Sequence, residues 1–191
     1  MKKYILSIIA SMFIGATYAQ EISINSRENG IRHISCRMEP VKAKMTDKTS
    51  LSTSLSYIAN DTEHLYNISF FLRKYSSLKV EKGSDVLIRL NDENETVLTL
   101  TVINGDEDKI GHLVKEPIVT TEYRIFVACN ITDEQVAAIA EHGVKKLRIN
   151  TSTSPTDWEY KSDKIGGIIS SHYKLIQETI NKPADNDAST F

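Results

Sequence analysis

The chain has 191 residues, and its 23 Lys and Arg residues nearly balance its 25 Asp and Glu residues. This near balance argues against nucleic acid or an anionic membrane surface as the main partner. The length fits one domain with a sizeable core better than two domains.

The N-terminal segment has the three-part pattern of a secretory signal peptide. Lys2 and Lys3 precede an apolar run that ends at Gly15, and small residues follow as far as Ala19. The run is too short to span a bilayer, and we expect no transmembrane segment elsewhere in the chain. Cleavage after Ala19 would leave a mature chain that starts at Gln20 and is exported, to the periplasm or out of the cell.

The first part of the mature chain predicts strands joined by turns. Residues 20–38 predict two strands on either side of a turn that contains Asn29-Gly30, and Glu39-Pro40 ends the second strand. Residues 51–73 alternate in polarity on both sides of Asn60-Asp61. That alternation predicts a hairpin with one buried face.

The middle of the chain predicts a second antiparallel pair. Residues 85–90 and 96–103 carry alternating apolar side chains, and the acidic tract 91–95 between them predicts a solvated tip. Residues 108–122 contain Pro117 and predict an irregular connection.

Residues 123–150 predict a strand, a helix and a strand in succession. Thr132 and Gln135 have the spacing of a capping box, in which each side chain bonds the other residue's backbone amide. Gly143 supplies the residue that ends the helix, and Val144–Ile149 resume as a strand.

The C-terminal part predicts a Ser/Thr-rich loop and then a helix. Apolar residues recur at helical spacing from Ile165 to Ile180, and Pro183 stops the helix. The predicted organisation is a signal peptide over 1–19, a single β-rich domain over 20–183 and a flexible tail over 184–191.

Together these elements predict an α+β fold. It consists mainly of antiparallel β-sheet, with one inserted helix and one C-terminal helix that cover one face or end of the sheet. A β-sandwich is the alternative.

Four stretches of the sequence carry a resemblance to a known group. They are the signal that ends at Ala19-Gln20, the hairpin from Tyr57 to Leu72, the tract Asn130-Ile131-Thr132-Asp133-Glu134-Gln135-Val136, and Val144-Lys145-Lys146-Leu147-Arg148-Ile149. Together they resemble small secreted proteins of gut Gram-negative anaerobic bacteria. The resemblance covers most of the mature chain and implies export, and it carries over no catalytic motif.

Two cysteines lie on predicted strand faces. Cys36 and Cys129 both have apolar neighbours, so both should be buried. Export makes a disulfide between them chemically possible, and two unpaired core cysteines explain the pattern equally well. The sequence leaves both alternatives open.

The sequence shows no metal-binding or cofactor-binding pattern. No two of the five histidines have the spacing of metal ligands on one helix. We expect all five to be exposed or at sheet edges: His33, His64, His112, His142 and His172. The acidic tracts 91–95 and 106–108 lack the fixed Gly and the terminal Glu of the twelve-residue calcium loop. We expect no metal and no cofactor.

The catalytic motifs of enzymes are also missing from the sequence. Ser170-Ser171-His172 lacks the glycines of a nucleophile elbow, and no pair of acids is marked by its setting. The sequence therefore favours a protein without enzymatic activity, although it does not decide the question.

Trp158 and Tyr160 are the candidate ligand-binding residues, because an aromatic face beside the polar segment 150–157 suits a sugar ring. The competing interpretation places Trp158 at the edge of the core. We predict an exported, non-catalytic binding or interaction module of the cell envelope, with a carbohydrate or an envelope protein as partner. A hydrolase that acts on extracellular polymers is the alternative function.

Overall fold

The structure is a computed structural model, and it describes residues 21–41, 49–74, 79–104, 109–115, 118–152, 154–159 and 162–184. For residues 49, 109–115 and 118–122 it describes the backbone alone. In chain order the elements are β1 (Ile22–Glu28), β2 (Ile31–Cys36), β3 (Glu39–Val41), β4 (Thr49–Ala59), β5 (His64–Lys74), β6 (Asp85–Leu90), β7 (Val97–Thr101), β8 (Lys109–Lys115), β9 (Ile118–Ile131), α1 (Asp133–His142), β10 (Val144–Ile149), β11 (Thr156–Glu159) and α2 (Ile165–Ile180).

The strands form two antiparallel sheets. The large sheet has the order β1-β2-β4-β5-β9-β8, and the short strand β3 also pairs with β4. The small sheet has the order β11-β10-β6-β7. A single bridge between Val102 and Cys129 connects the end of β7 to β9.

The inner face of the large sheet is apolar because its strands alternate. On β4 and β5 the inward positions include Leu55, Ile68 and Phe70, and all three are fully buried. They belong to one cluster of buried side chains that also includes residues of the small sheet and of both helices. The predicted hairpin with one buried side is confirmed.

Helix α1 begins where the sequence predicts. The Thr132 hydroxyl accepts from the Gln135 amide, at 3.3 Å, and the Gln135 side chain accepts from the Thr132 amide, at 3.1 Å. The helix ends before Gly143, whose φ of 75° is costly for other residues. The capping box and the helix end are both confirmed.

Thr132→Ala should lower the free energy of unfolding by about 1 kcal/mol, because it leaves the Gln135 amide without its acceptor. Urea unfolding followed by circular dichroism measures the change. Thr62→Ala, in the exposed turn before β5, is a control for mutating a threonine. A loss for Thr132→Ala no larger than that of the control would contradict a stabilising cap.

The strand before Glu39-Pro40 ends as predicted, because β2 stops at Cys36. Pro40 lies in the short strand β3, which pairs with β4 at an edge that tolerates the missing amide. Two other predictions about the course of the chain are wrong. The irregular connection predicted for 108–122 is, in its described residues, the β8–β9 hairpin, and Pro117 lies outside those residues. The loop predicted for 150–157 is shorter than predicted, because β11 begins at Thr156.

The two cysteines are buried free thiols, so the disulfide considered for Cys36 and Cys129 is not formed. Strand register explains why. Ile68 pairs with Cys129 on one side and with Leu55 on the other, and Cys36 lies one strand beyond Leu55. Three strand spacings amount to about 14 Å, roughly twice the largest Cα separation that a disulfide tolerates.

The two helices approach each other closely where α1 ends and α2 begins. A β-carbon on Gly166 would lie 2.7 Å from the Cα of Gly143. The Asp163 carboxylate fills the remaining space and accepts from the Gly166 amide, at 2.7 Å. Gly166 is therefore needed for packing, although glycine weakens the first turn of a helix.

The fold is α+β, mostly antiparallel sheet, with one inserted and one C-terminal helix, as predicted. Helix α2 contacts β2 and β4 on the inner face of the large sheet. Among the described residues, no helix is long and apolar enough to cross a membrane.

Candidate functional site

The tryptophan named as a ligand contact belongs to the core. Trp158 lies on β11 opposite Leu147 of β10, and it is 5% exposed. Because Leu147 faces inward, the register turns Trp158 inward with it. The competing interpretation, an edge-of-core Trp158, describes the structure, and Tyr160 lies outside the described residues.

One histidine contradicts the expectation of exposed or edge positions. His172 on α2 is fully buried, its Nε2 lies 3.0 Å from a carboxylate oxygen of Glu39 on β3, and its Nδ1 has no hydrogen-bond partner. Burial lowers the pKa of His172, and the bond to Glu39 opposes that shift in part. The imidazole therefore favours its neutral form and ties α2 to β3.

The other histidines lie at or near the surface where their side chains are described. His64 contacts Asp133 at the start of α1, with 2.6 Å between Nε2 and the carboxylate. His142 occupies the last turn of α1, and His33 lies on the outer face of β2. The side chain of His112 lies outside the described residues.

The acidic tip between β6 and β7 makes bonds within the protein. Asp92 accepts from the backbone amide of Thr96, at 2.8 Å, and Glu95 pairs with Lys145 and Arg89. In the described parts of the chain, no three His, Cys, Asp or Glu side chains come together as a metal-binding group. The second acidic tract, 106–108, lies outside the described residues.

The outer face of the large sheet carries a depression that sequence reasoning missed. Cross-strand pairing places small side chains next to one another in its floor: Ser35, Ser54, Ser56, Asn67 and Ser69. Larger side chains border the floor: His33, Met38, Ile58 and Phe126. We call this depression the outer trough; it has a volume of about 480 Å³.

The floor of the outer trough is rich in hydroxyl and amide groups. The Ser35 and Ser56 hydroxyls lie 3.1 Å apart, and the Ser69 hydroxyl donates to the Asn67 side-chain oxygen, at 3.2 Å. A serine hydroxyl can donate one hydrogen bond and accept two. Ser54 and Ser69 are themselves buried, so the half-buried Ser35, Ser56 and Asn67 are the floor groups with acceptor capacity left for a ligand.

An aromatic ring stands at one border of the trough. Phe126 on β9 is 39% exposed, and it pairs across the strands with Phe71. The Asn104 side chain donates to the Phe126 carbonyl and accepts from the Ala128 amide, both at 2.7 Å. Asn104 therefore holds the β9 backbone that positions the Phe126 ring.

The lining of the trough has one titratable residue besides Cys36, which is His33. None of its eleven lining residues is an Asp, Glu, Lys or Arg. Cys36 also lines it, but its thiol lies 3.7 Å from the His172 carbonyl of α2 on the inner side of the sheet, and burial, with a smaller effect of Glu39, raises the pKa of this thiol to about 12. At neutral pH Cys36 is therefore a protonated thiol and a poor nucleophile.

The outer face of the small sheet is charged, unlike the trough. Arg148 donates two hydrogen bonds to Asp157, at 2.7 and 2.8 Å, and Lys146 lies 2.8 Å from the same carboxylate. The bond from Arg148, aided by Lys146, holds the pKa of Asp157 well below its usual range. These charges are paired with one another.

The sequence did contain a signal for the trough. On β4 the residues Ser50, Ser52, Ser54 and Ser56 alternate with the buried positions, so that strand presents a row of hydroxyls outward. What the alternation does not reveal is which strands lie on either side. Comparisons with family models, curated proteins and solved structures found no match, so the functional argument rests on this geometry.

Proposed function

We propose that the protein is an exported, non-catalytic binding module of the cell envelope, and that the outer trough binds an uncharged glycan. The observation that carries the proposal is a floor of serine and asparagine side chains beside an exposed phenylalanine, with no charged residue in the lining. Export is supported by the N-terminal lysines, the apolar run and the small residues before Gln20.

The chemistry of the lining favours a glycan over other ligands. Sugar hydroxyls donate and accept as serine hydroxyls do, and the apolar face of a sugar ring packs on an aromatic side chain. A phosphorylated or acidic ligand would enter the trough without a countercharge, which is costly. An envelope protein that presented an apolar face would leave the floor hydroxyls unpaired.

The alternative is a hydrolase that acts on extracellular polymers. Glycoside hydrolases use two carboxylic acids on either side of the scissile bond. The lining of the outer trough offers no acid, so a hydrolase would have to use another part of the chain. Product release distinguishes the two functions.

Phe126→Ala should weaken binding of a neutral polysaccharide roughly three- to sevenfold, because complete burial of a phenylalanine side chain contributes about 1.5 to 3 kcal/mol and a ligand can cover only the 39% of Phe126 that is exposed. The measurement is retention of purified protein on an array of neutral and acidic polysaccharides. Released sugar is measured in the same wells. We expect retention on a neutral polysaccharide without release of product.

Val97→Ala is the matched control, because Val97 is 50% exposed and lies on the small sheet, away from the trough. It should bind as the wild type does. Equal binding by Phe126→Ala and wild type would place the site elsewhere, and sustained release of sugar would favour the hydrolase. If no polysaccharide is retained, the glycan proposal is wrong.

A further inference from the structure

The borders of the outer trough run across the strands of the large sheet. Strand register arranges the outward residues in rows perpendicular to the strands. One floor row pairs Ser54 with Ser69 and continues beyond the trough lining to Ala128 on β9, and the next holds Ser35, Ser56 and Asn67 and continues to Asn130 on β9. Bulky rows flank them, with Phe71 and Phe126 on one side and His33, Ile58 and Leu65 on the other.

The floor is longer than it is wide. The two floor rows are two residues apart along each strand, which is about 7 Å. The longer row runs from Ser35 on β2 to Asn130 on β9, which is three strand spacings or about 14 Å. A ligand that fills this floor is narrow and extended, and it crosses the strands.

Hydrogen-bonding groups recur along the floor at the strand spacing. Ser56 and Asn67 sit on neighbouring strands of the same row, and Asn67 reaches toward Asn130 with 3.5 Å between the side-chain nitrogen and oxygen. Similar groups at regular intervals suit a ligand built from repeated units that each carry hydroxyls. A single small sugar would contact only a fraction of them.

We infer that the outer trough takes an extended, uncharged glycan chain through its internal units, lying across the strands between the phenylalanine row and the His33 row. The inference rests on the proposed function, and it adds the length and direction of the ligand. An uncharged chain fits because no Asp, Glu, Lys or Arg lines the trough. Affinity should then depend on how many units contact the floor.

The test is calorimetric titration of the protein with malto-, cello-, xylo- and manno-oligosaccharides from the monosaccharide to the hexasaccharide. Oligogalacturonates serve as charged chains of matched length. In one neutral series the affinity should rise at least tenfold from the monosaccharide to the tetrasaccharide and then level off. The charged chains should bind at least tenfold more weakly than that series.

Two variants locate the chain on the floor. Ser56→Tyr places a bulky ring in the middle and should weaken binding of every oligomer at least tenfold. Asn130→Tyr blocks one end at an exposed position, and it should weaken the long oligomers while leaving the disaccharide unchanged. Thr99→Tyr, exposed on β7 of the small sheet, is the control that should bind as the wild type does.

The outcomes separate the two proposals. If the monosaccharide binds as tightly as the hexasaccharide, or if Asn130→Tyr affects all lengths equally, the extended-chain inference is overturned while glycan binding stands. If Phe126→Ala and Ser56→Tyr, both folded by circular dichroism, leave binding unchanged, both proposals are overturned. Absence of binding to all four series and to the polysaccharide array also overturns both.

Discussion

Replacing Gly166 with alanine should lower the free energy of unfolding by about 3 kcal/mol, because the added methyl group has no room. Its β-carbon would lie 2.7 Å from the Cα of Gly143 and also against the Asp163 carboxylate. The Gly143 contact is with backbone, so only a shift of α1 relative to α2 can relieve it. Urea unfolding monitored by circular dichroism measures the loss.

Gly167→Ala is the matched control, since the neighbouring glycine has no atom within 4 Å of an added β-carbon. Alanine is favoured over glycine inside a helix by up to about 1 kcal/mol, so this variant should be as stable as the wild type or more stable. Two adjacent Gly→Ala changes therefore act in opposite directions. Similar effects of the two variants would mean that the close approach of the helices is absent in solution.

Acidification should destabilise the fold through His172. Burial lowers the pKa of His172 in the folded state, so below about pH 6.5, the ordinary pKa of histidine, the unfolded chain binds the proton more readily than the folded chain. The stability from a neutral imidazole is therefore present above about pH 6.5 and is lost as the pH falls below it. One such group changes the free energy of unfolding by at most about 1.4 kcal/mol per pH unit.

The variant His172→Phe should flatten this dependence. Glu39 contacts His172 through Nε2, and the Cys36 thiol lies 3.7 Å from the His172 carbonyl. Urea unfolding at pH 7.5, 6.5, 5.5 and 5.0 tests the slope above the range in which ordinary carboxylates become protonated, near pH 4. The variant lacks the bond to Glu39 at every pH. The informative quantity is therefore the slope of the free energy of unfolding against pH.

His142→Gln is the control, because His142 is an exposed histidine at the end of α1. It should keep the slope of the wild type. If His172→Phe also keeps that slope, the acid sensitivity between pH 7.5 and 5.0 comes from other groups. An identical free energy of unfolding across the range for the wild type would mean that His172 is not held neutral by burial.

Features that depend on residues close together in sequence were predicted correctly. The capping box of Thr132 and Gln135 needs only a spacing of three residues, and the turn at Asn29-Gly30 needs only residues that accept positive φ. The hairpin of β4 and β5 follows from alternation, which decides by itself which side chains share a face. These patterns were sufficient for the α+β class.

Features that depend on the order of strands could not be read from local pattern. Trp158 fitted both a ligand contact and an edge-of-core position until its pairing with β10 turned it inward, and residues 109–115 and 118–122 were predicted as an irregular connection although they pair as strands. The Glu39 partner of His172 is 133 residues away in the sequence. No periodicity records such a contact.

The sequence by itself determined the elements, the apolar face of the large sheet and the outward row of serines on β4. Only the tertiary structure decided that β2 and β5 lie beside β4, and that β9 lies beyond β5, in a register that puts Ser35, Ser69 and Ala128 on the same outer face as those serines. The reason is physical: side-chain alternation within a strand is a local property of the backbone, whereas the neighbour of a strand is selected by burial of the whole inner face. The outer trough therefore forms only when the strands of the large sheet pair in this order.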